Sequence, residues 1–420
     1  MKILVIGGGG REHTIIWKLS QSPRVSKIYC APGNAGIAHM AENVDIQAED
    51  IEGLLCFAKA NHIDLTVVGP EGPLVMGIVD LFQKEGLRIF GPNKRCAQLE
   101  GSKAFSKEFM LRHHIPTAKY EEFVDVEEAR KAVGIYGYPM VIKADGLAAG
   151  KGVIIAQNEV EALDSLGSIM VKKEFGDAGN KVVIEEFLAG TETSILCFVD
   201  GKSIIPMVSA QDYKKIFDND EGPNTGGMGT YSPSYIYDEA LEKEVDERIL
   251  QPVLEGMQRD GLDFKGILFI GLMITDTGAK VLEFNTRFGD PETQVILTRL
   301  ETDLLEIMDS ILGERLNEQI IHWSEMSTVC VGLASGGYPG PYVKGKPIKG
   351  LDRVGDDCIV FHAGTRMKDG NIVTDGGRVL GVTTRGHTIE EARERVYRNI
   401  EVIDFEGKQF RRDIGKLIKS

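Results

Sequence analysis

VIKADGLAAGKGVII, residues 141–155, is the stretch on which the fold turns. Its glycines and lysine look like a P-loop, but that motif needs four residues between its glycines and a Ser or Thr directly after the lysine. Here Leu147, Ala148 and Ala149 alone separate Gly146 from Gly150, and Gly152 follows Lys151. The flanks disagree as well. A P-loop opens a helix, whereas this loop joins one apolar strand pattern, PMVIKAD, to another, GVIIAQN. The reading is a glycine-rich hairpin able to fold over a polyphosphate, with Lys143 on the incoming strand and Gly150 and Lys151 in the loop. Over these residues alone, an ordinary hairpin with two solvated lysines would read the same.

Upstream, apolar runs KILVI, KIYCA, DLTVVG and LRIFG alternate with helical patterns such as Ile51, Leu54, Leu55 and Ala58. That alternation predicts βαβ units and a parallel sheet. The strand ends carry the turns GGGGREH, APGN, GPEGPL and GPNK, which gather at the carboxyl edge of such a sheet, where ligands bind. GGGGREH is a poor dinucleotide fingerprint. Read from Gly7 the third glycine position is Glu12, read from Gly8 it is His13, and the second strand ends IYCAPGN with no acid for a ribose. The glycines still offer N–H groups at a helix N-terminus, with Arg11 beside them, which makes a phosphate seat. A tight turn with no ligand is the alternative.

Downstream, VLEFNTRFGDPETQ (residues 281–294) places Val281, Glu283, Asn285 and Arg287 on one strand face by period two, with Leu282, Phe284 and Phe288 on the other. Hard oxygen donors two residues apart suit Mg²⁺, and the arginine suits a phosphate or carboxylate. VVIEEFLAGTE ends a strand on Glu185 and Glu186, a place for a carboxylate to meet an adenine edge while Glu192 reaches ribose hydroxyls. Lys103 follows Ser102, a predicted N-cap, and a cation in a first helical turn opposes the helix dipole unless an anion sits there. AQDYKKIFDNDEGPNTGGMGTYSP (residues 210–233) has no clear period and reads as a long functional loop.

Composition bounds the function. At 420 residues the chain exceeds one core, and 42% hydrophobic with 26% charged residues is globular. A formal charge of -15 argues against a nucleic-acid or membrane-surface role, so any anionic ligand is held locally. The six cysteines are scattered without a C-x-x-C pair, and no apolar run approaches membrane-spanning length. Both features predict a cytoplasmic protein.

EGSKAFSK, IKADGLAAGKGV, VIEEFLAGTE, GPNTGGMG, EFNTRFGDPETQ and GGRVLGVT, in this order after the N-terminal turns, resemble the ATP-grasp superfamily and, within it, the glycinamide ribonucleotide synthetase family. The resemblance covers essentially the whole chain. It implies an α/β multidomain fold: a Rossmann-like unit at 1–103, an ATP-grasp small lobe at 104–190, a large lobe at 191–325 and an α+β C-terminal unit at 326–420. It also implies a ligase of purine biosynthesis that joins glycine to 5-phosphoribosylamine through glycyl phosphate, with ATP as co-substrate, Mg²⁺ or Mn²⁺ as cofactor, and a monomeric state. Lys103, Lys143, Gly150, Lys151, Glu185, Glu186, Leu188 and Glu192 would hold ATP, and Glu283 and Asn285 the metal. Lys143, Arg287, Asp290 and Asp212 would serve the chemistry. Gly9, Gly10, Arg11, Glu12, Asn34 and Glu71 would receive phosphoribosylamine, and Asn224, Thr225, Gly226 and Gly227 would form the substrate loop. The chain departs from the family pattern in the loop, where Tyr213 and Lys215 replace a histidine and an arginine and Asn219 a glycine, and in the strand GILFIGLMIT, which lacks the metal carboxylate that many ATP-grasp enzymes carry there. A tyrosine with an unperturbed pKa of about 10 cannot inherit a proton-accepting role.

Overall fold

The computed structural model describes residues 1–148 and 152–416, so the predicted contacts of Gly150 and Lys151 lie outside the described residues. Strand Lys2–Gly7 is the middle of the first layer. Ile3 and Val5 enter one apolar cluster and Leu4 and Ile6 another, so the strand is buried on both faces, as a parallel sheet requires. The strand order is Glu42–Asn43, Lys27–Pro32, Lys2–Gly7, Leu65–Val68 and Ile89–Phe90, all parallel. Helix Gly10–Leu19 packs Ile15, Ile16 and Leu19 on one face, and helix Ile51–Ala60 packs Leu54, Leu55 and Ala58 on the other.

Five further sheets follow among the described residues, all antiparallel, and three of them have four or more strands. Tyr120–Phe123, Val182–Glu186, Met140–Ala144 and Val153–Ala156 form the small lobe, in which the last two strands flank the glycine-rich loop. Ile204–Pro206, Thr191–Val199, Gly266–Thr275 and Gly278–Asn285 form the large lobe. One face of this sheet, through Phe198, Ile267 and Phe269, shares a core with the N-terminal sheet, and the other, through Cys197, Leu268 and Ile270, packs on Phe109 and Met110 of helix Lys103–Arg112. The N-terminal carboxyl edge and the end of strand Gly278–Asn285 therefore face one another across a continuous core.

Two expectations need correction. The stretch 210–233 is not structureless: Lys215–Phe217 and Glu221–Asn224 pair as a hairpin, and Gln211–Asp212 and Gly229–Ser232 join the sheet of Ser327–Ala334, Arg378–Gly386 and Cys358–His362. The large-lobe segment thus contributes strands to the C-terminal unit. Val281 also does not share a face with Glu283. Gly271 pairs Glu283 while Leu272 pairs Val281, so Leu282 is a bulged residue without a partner, and Val281 enters the same cluster as Phe284. Phe288 belongs to a different cluster, with Phe269. Among the described residues no helix is long and apolar enough to cross a membrane.

The C-terminal sheet docks on the N-terminal helix through two histidines. His362 donates its backbone N–H to His13 Nδ1 at 2.7 Å, and His362 Nδ1 lies 3.1 Å from Thr365 Oγ1. Burial, then the neighbouring His362, lowers the His13 pKa to about 3, and burial with His39 lowers that of His362 to about 4. Both are neutral when folded and bind protons near the usual 6.5 when unfolded, so the unfolded chain takes up more protons between these values. Stability is fully present above about pH 6.5 and falls as the pH drops toward 4. Urea midpoints measured from pH 7.5 to 4.5 should show this fall, and it should be shallower in His13→Gln.

Candidate active site

The bulge at Leu282 sets the centre of the site. Its unpaired carbonyl accepts from Lys143 Nζ at 3.2 Å, and the next residue, Glu283, turns toward a group of cations. Lys103 Nζ is 3.8 Å from Glu283 Oε2. Burial pushes the Glu283 carboxyl up, but Lys103, Lys214, Lys143 and Arg287 outweigh it and hold the pKa at about 2. Two residues on, Asn285 Oδ1 faces Arg287 Nη2 at 3.3 Å. A permanently ionised carboxylate and an amide oxygen on one strand face are hard donors, and they fit a divalent cation that shares its remaining positions with phosphate oxygens. Lys103 stands where its sequence neighbours predict: Ser102 caps its helix, accepting from Phe105 N at 3.1 Å. The anion expected at that N-terminus is internal, since Asp145 Oδ1 accepts from Ser102 Oγ at 2.9 Å and Ala104 N at 3.1 Å.

Glu185 is held between two lysines. Its oxygens lie 2.9 Å from Lys143 Nζ and 3.0 Å from Lys107 Nζ, and all three side chains are almost fully buried. Lys107, four residues after Lys103, has its pKa lowered to about 8 by burial, against the pull of Glu185. Glu186 Oε1 accepts from Lys119 N at 3.0 Å, and Glu192 is paired with Lys214 at 2.6 Å. Leu188 lies with Ala118, Met273 and Leu282 in a small apolar cluster.

The glycine turn holds its own anion. Glu12 Oε2 accepts from Gly9 N at 2.6 Å and Glu12 Oε1 pairs with Arg11 Nε at 2.6 Å. A Cβ on Gly7 would lie 2.6 Å from Glu12 Cγ, and one on Gly69 2.1 Å from Glu12 Oε1, so these glycines admit the carboxylate. The predicted phosphate seat at Gly9 is thus occupied by Glu12. Asn34 is likewise committed, donating to Gly8 O at 2.9 Å and His362 O at 2.8 Å while accepting from Gly36 N and Ile37 N. Arg11 and Arg287 converge on Phe288 O at 3.3 and 3.2 Å, and Glu71 lies 3.2 Å from Arg287 Nε. Burial would raise the Glu71 pKa, but Arg287 and Arg11 hold it at about 2. Gly9 and Gly10 lie against Asp290, whose carboxylate meets Gln294 Nε2 at 2.9 Å and Arg378 Nη2 at 2.8 Å.

The substrate loop closes this face. Arg378 donates to the carbonyls of Gly226, Gly227 and Asp290, and Thr225 Oγ1 donates to Lys214 O and accepts from Gly227 N. Asn224 ends the hairpin opposite Lys215. Asp212, paired in register with Thr230, has its carboxyl pushed up by burial against the opposing charge of Lys214. Burial, then the charge of Asp212, raises Glu292 to about 8. Tyr213 turns away: its hydroxyl accepts from Gly415 N at 3.1 Å and Arg411 lies 4.8 Å over its ring. Asn219 has φ of 59°, a left-handed conformation that asparagine tolerates better than most residues. Sequence reasoning missed Glu100, Lys107, Asp145, Lys214, Glu292 and Arg378. For Lys107 the four-residue spacing from Lys103 was a signal; for Arg378 nothing local told where its strand docks.

Residues 1–100 match the family described as phosphoribosylglycinamide synthetase, N domain, residues 101–293 its ATP-grasp (A) domain, and residues 328–417 its C domain. The chain is 53% identical over 415 residues to the phosphoribosylamine–glycine ligase of Caldanaerobacter subterraneus subsp. tengcongensis, covering 99% of each. The crystal structure of a phosphoribosylamine–glycine ligase from Thermotoga maritima superposes with a TM-score of 0.85 at 34% identity, over 98% of this chain and 100% of that one. A biotin carboxylase domain of Hydrogenobacter thermophilus 2-oxoglutarate carboxylase has a TM-score of 0.75 at 18% identity, over 97% and 91%, which shows a shared fold alone.

Arg378→Ala should free the carbonyls of Gly226 and Gly227 and lower stability by about 2 kcal/mol, the scale of hydrogen bonds to a charged group. Urea unfolding checks the stability, and faster tryptic cleavage at Lys214 and Lys215 checks the loosened loop.

Proposed function

The chain belongs to the phosphoribosylglycinamide synthetase family and catalyses the ATP-dependent joining of glycine to 5-phosphoribosylamine; from that premise we propose how its residues divide the work. The observation that carries the assignment is the convergence of Lys103, Lys143, Lys214 and Arg287 on the single carboxylate Glu283 at a strand end. Glycine's carboxylate cannot acylate an amine, because oxide is too poor a leaving group. Transfer of the γ-phosphoryl of ATP gives glycyl phosphate and ADP. The amine of phosphoribosylamine then attacks the carbonyl, phosphate leaves, and the amide of glycinamide ribonucleotide remains.

In this reading Lys103 and Lys143 neutralise the ATP phosphates, and the cluster of Ala118, Leu188, Met273 and Leu282 takes the adenine ring. Glu283 and Asn285 would hold Mg²⁺ or Mn²⁺, which would supply Lewis-acid charge for the phosphoryl transfer. Arg287 orients the reacting carboxylate and phosphate, a task of positioning and charge neutralisation. Arg11 and Asp290, with Gly9 and Gly10 leaving room between them, face phosphoribosylamine. Asp212 beside Glu292 accepts the proton that the attacking amine sheds, so the departure at Tyr213 costs the chemistry nothing. Glycyl phosphate hydrolyses readily, and the loop at 224–227 excludes water from it. The same reading makes the protein a cytoplasmic monomer that serves purine biosynthesis and acts on small molecules alone.

ADP release with Mg²⁺ should require both glycine and freshly made phosphoribosylamine, with glycinamide ribonucleotide identified by mass; turnover without glycine would overturn the substrate assignment. Glu283→Ala should abolish metal-dependent turnover in a chain that still folds by circular dichroism. Arg11→Ala should raise the phosphoribosylamine KM with little change in that for ATP, and an unchanged KM would remove it from that subsite.

A further inference from the structure

Two unlike carboxylates hold Arg287. Glu71, in the first turn of helix Glu71–Met76, meets Nε at 3.2 Å from a side chain 29% exposed. Glu100, in the short helix Gln98–Gly101, meets Nη2 at 2.8 Å from a side chain only 4% exposed. The other oxygen of Glu100 accepts from the backbone N–H of Thr286 at 2.7 Å and lies 3.3 Å from its hydroxyl. A single carboxylate therefore fixes both the guanidinium and the peptide that separates Asn285 from Arg287. The same short run, EGSK, caps the next helix with Ser102 and presents Lys103 to Glu283.

We propose that Glu100 is a positioning residue for the ligation: it anchors Arg287 from the buried side when a substrate anion displaces Glu71 from the open side. This rests on Arg287 acting on the reacting carboxylate and phosphate, as proposed above. The physical reason is entropy and register. A free arginine side chain has about 2 kcal/mol of rotamer entropy to lose, and an anion that had to order Arg287 itself would spend that much of its binding. With Glu100 in place the guanidinium meets the anion already aimed, and the Thr286 contact keeps Asn285 aligned with it. Deep burial of an acid that only filled space would be a poor device, because an apolar pair packs at lower desolvation cost.

The test compares Glu100→Gln, Glu100→Asp, Arg287→Lys and the double variant Glu100→Gln/Arg287→Lys in the full ligation assay, with thermal unfolding of each. Glu100→Gln should lower kcat about 10- to 100-fold, the scale seen when a supporting residue behind a site ligand is lost. KM for ATP should stay within about threefold; the unfolding temperature should fall, because Arg287 loses a buried partner, but the loss of rate should persist in assays well below it, where the chain is folded. Glu100→Asp should recover part of the rate. The double variant should be no slower than Arg287→Lys, since residues that act as one unit are non-additive.

Glu100→Gln with normal kcat, a loss that multiplies with that of Arg287→Lys, or a loss that tracks unfolding would overturn the proposal. Normal turnover in Arg287→Lys would overturn the role of Arg287 and this anchor with it. An impaired Arg287→Lys beside a normal Glu100→Gln would overturn the anchor alone. If Glu100→Gln does not fold, Glu100→Asp is judged by the same rate, KM and additivity criteria.

Discussion

A buried guanidinium must be neutralised in place, and the way Arg287 is neutralised organises the molecule. Its partners come from the N-terminal sheet through Glu71, from the junction helix through Glu100 and from its own strand through Asn285. Three segments far apart in sequence are therefore obliged to meet at one charge. The shared core of Val5, Phe198, Ile267 and Phe269 supplies the apolar contact that brings these layers together, and the ion pairs select one alignment of it. Burial of apolar surface is non-directional, whereas a charged pair inside it is costly unless the geometry is good.

The same rule runs through the rest of the site. Net charge is -15, yet the cations that would receive anionic substrates are concentrated here, and each is met by an acid of the chain: Lys143 and Lys107 by Glu185, Lys214 by Glu192, Arg11 by Glu12, Arg378 by Asp290. A substrate anion does not enter an empty positive pocket. With the roles proposed above it would exchange with an internal carboxylate, so that its affinity would be a difference between two charge pairings. That logic separates deep acids such as Glu185 and Glu100, which stay, from the more exposed Glu71 and Glu192, which can yield.

Much of this was readable in the chain. Period-two and helical patterns located the parallel sheet, the hairpin topology excluded a P-loop, and the spacing of Glu283 and Asn285 predicted two oxygens on one face. The partners of those residues were not readable, because an ion pair is a tertiary fact: nothing in EGSKAFSK says that Glu100 points at Arg287, and nothing in GGRVLGVT says that Arg378 reaches Asp290. The bulge at Leu282 was invisible for a related reason. Alternation in VLEFNTRF is a property of one strand, whereas a bulge is a mismatch between two, here against Gly271 and Leu272. The internal partner of the glycine turn was equally hidden: Glu12 stands in the quoted motif, but nothing in GGGGREH says that its carboxylate folds back to accept from Gly9 N.

The departures from the family pattern at Tyr213 and Asn219 find their explanation away from the chemistry. Tyr213 lies in the cluster of the C-terminal unit with Val331, Val382 and Ile414, under Arg411, and burial holds its hydroxyl protonated with a pKa of about 12. Arg411 in turn binds Lys215 O, Asp220 and Asp413, and Asp413 accepts from Asn219 N. The hairpin between residues 213 and 220 is thus tied at both ends to the C-terminal segment. A histidine-to-tyrosine exchange there adds an aromatic face for Arg411 to stack on, and asparagine in a left-handed turn keeps the backbone that glycine would supply at a smaller entropic cost on folding. Both replacements fasten the outer end of the loop, while Asp212 and the carbonyls of Gly226 and Gly227 remain at its inner edge. Their joint occurrence fits compensation within one tie.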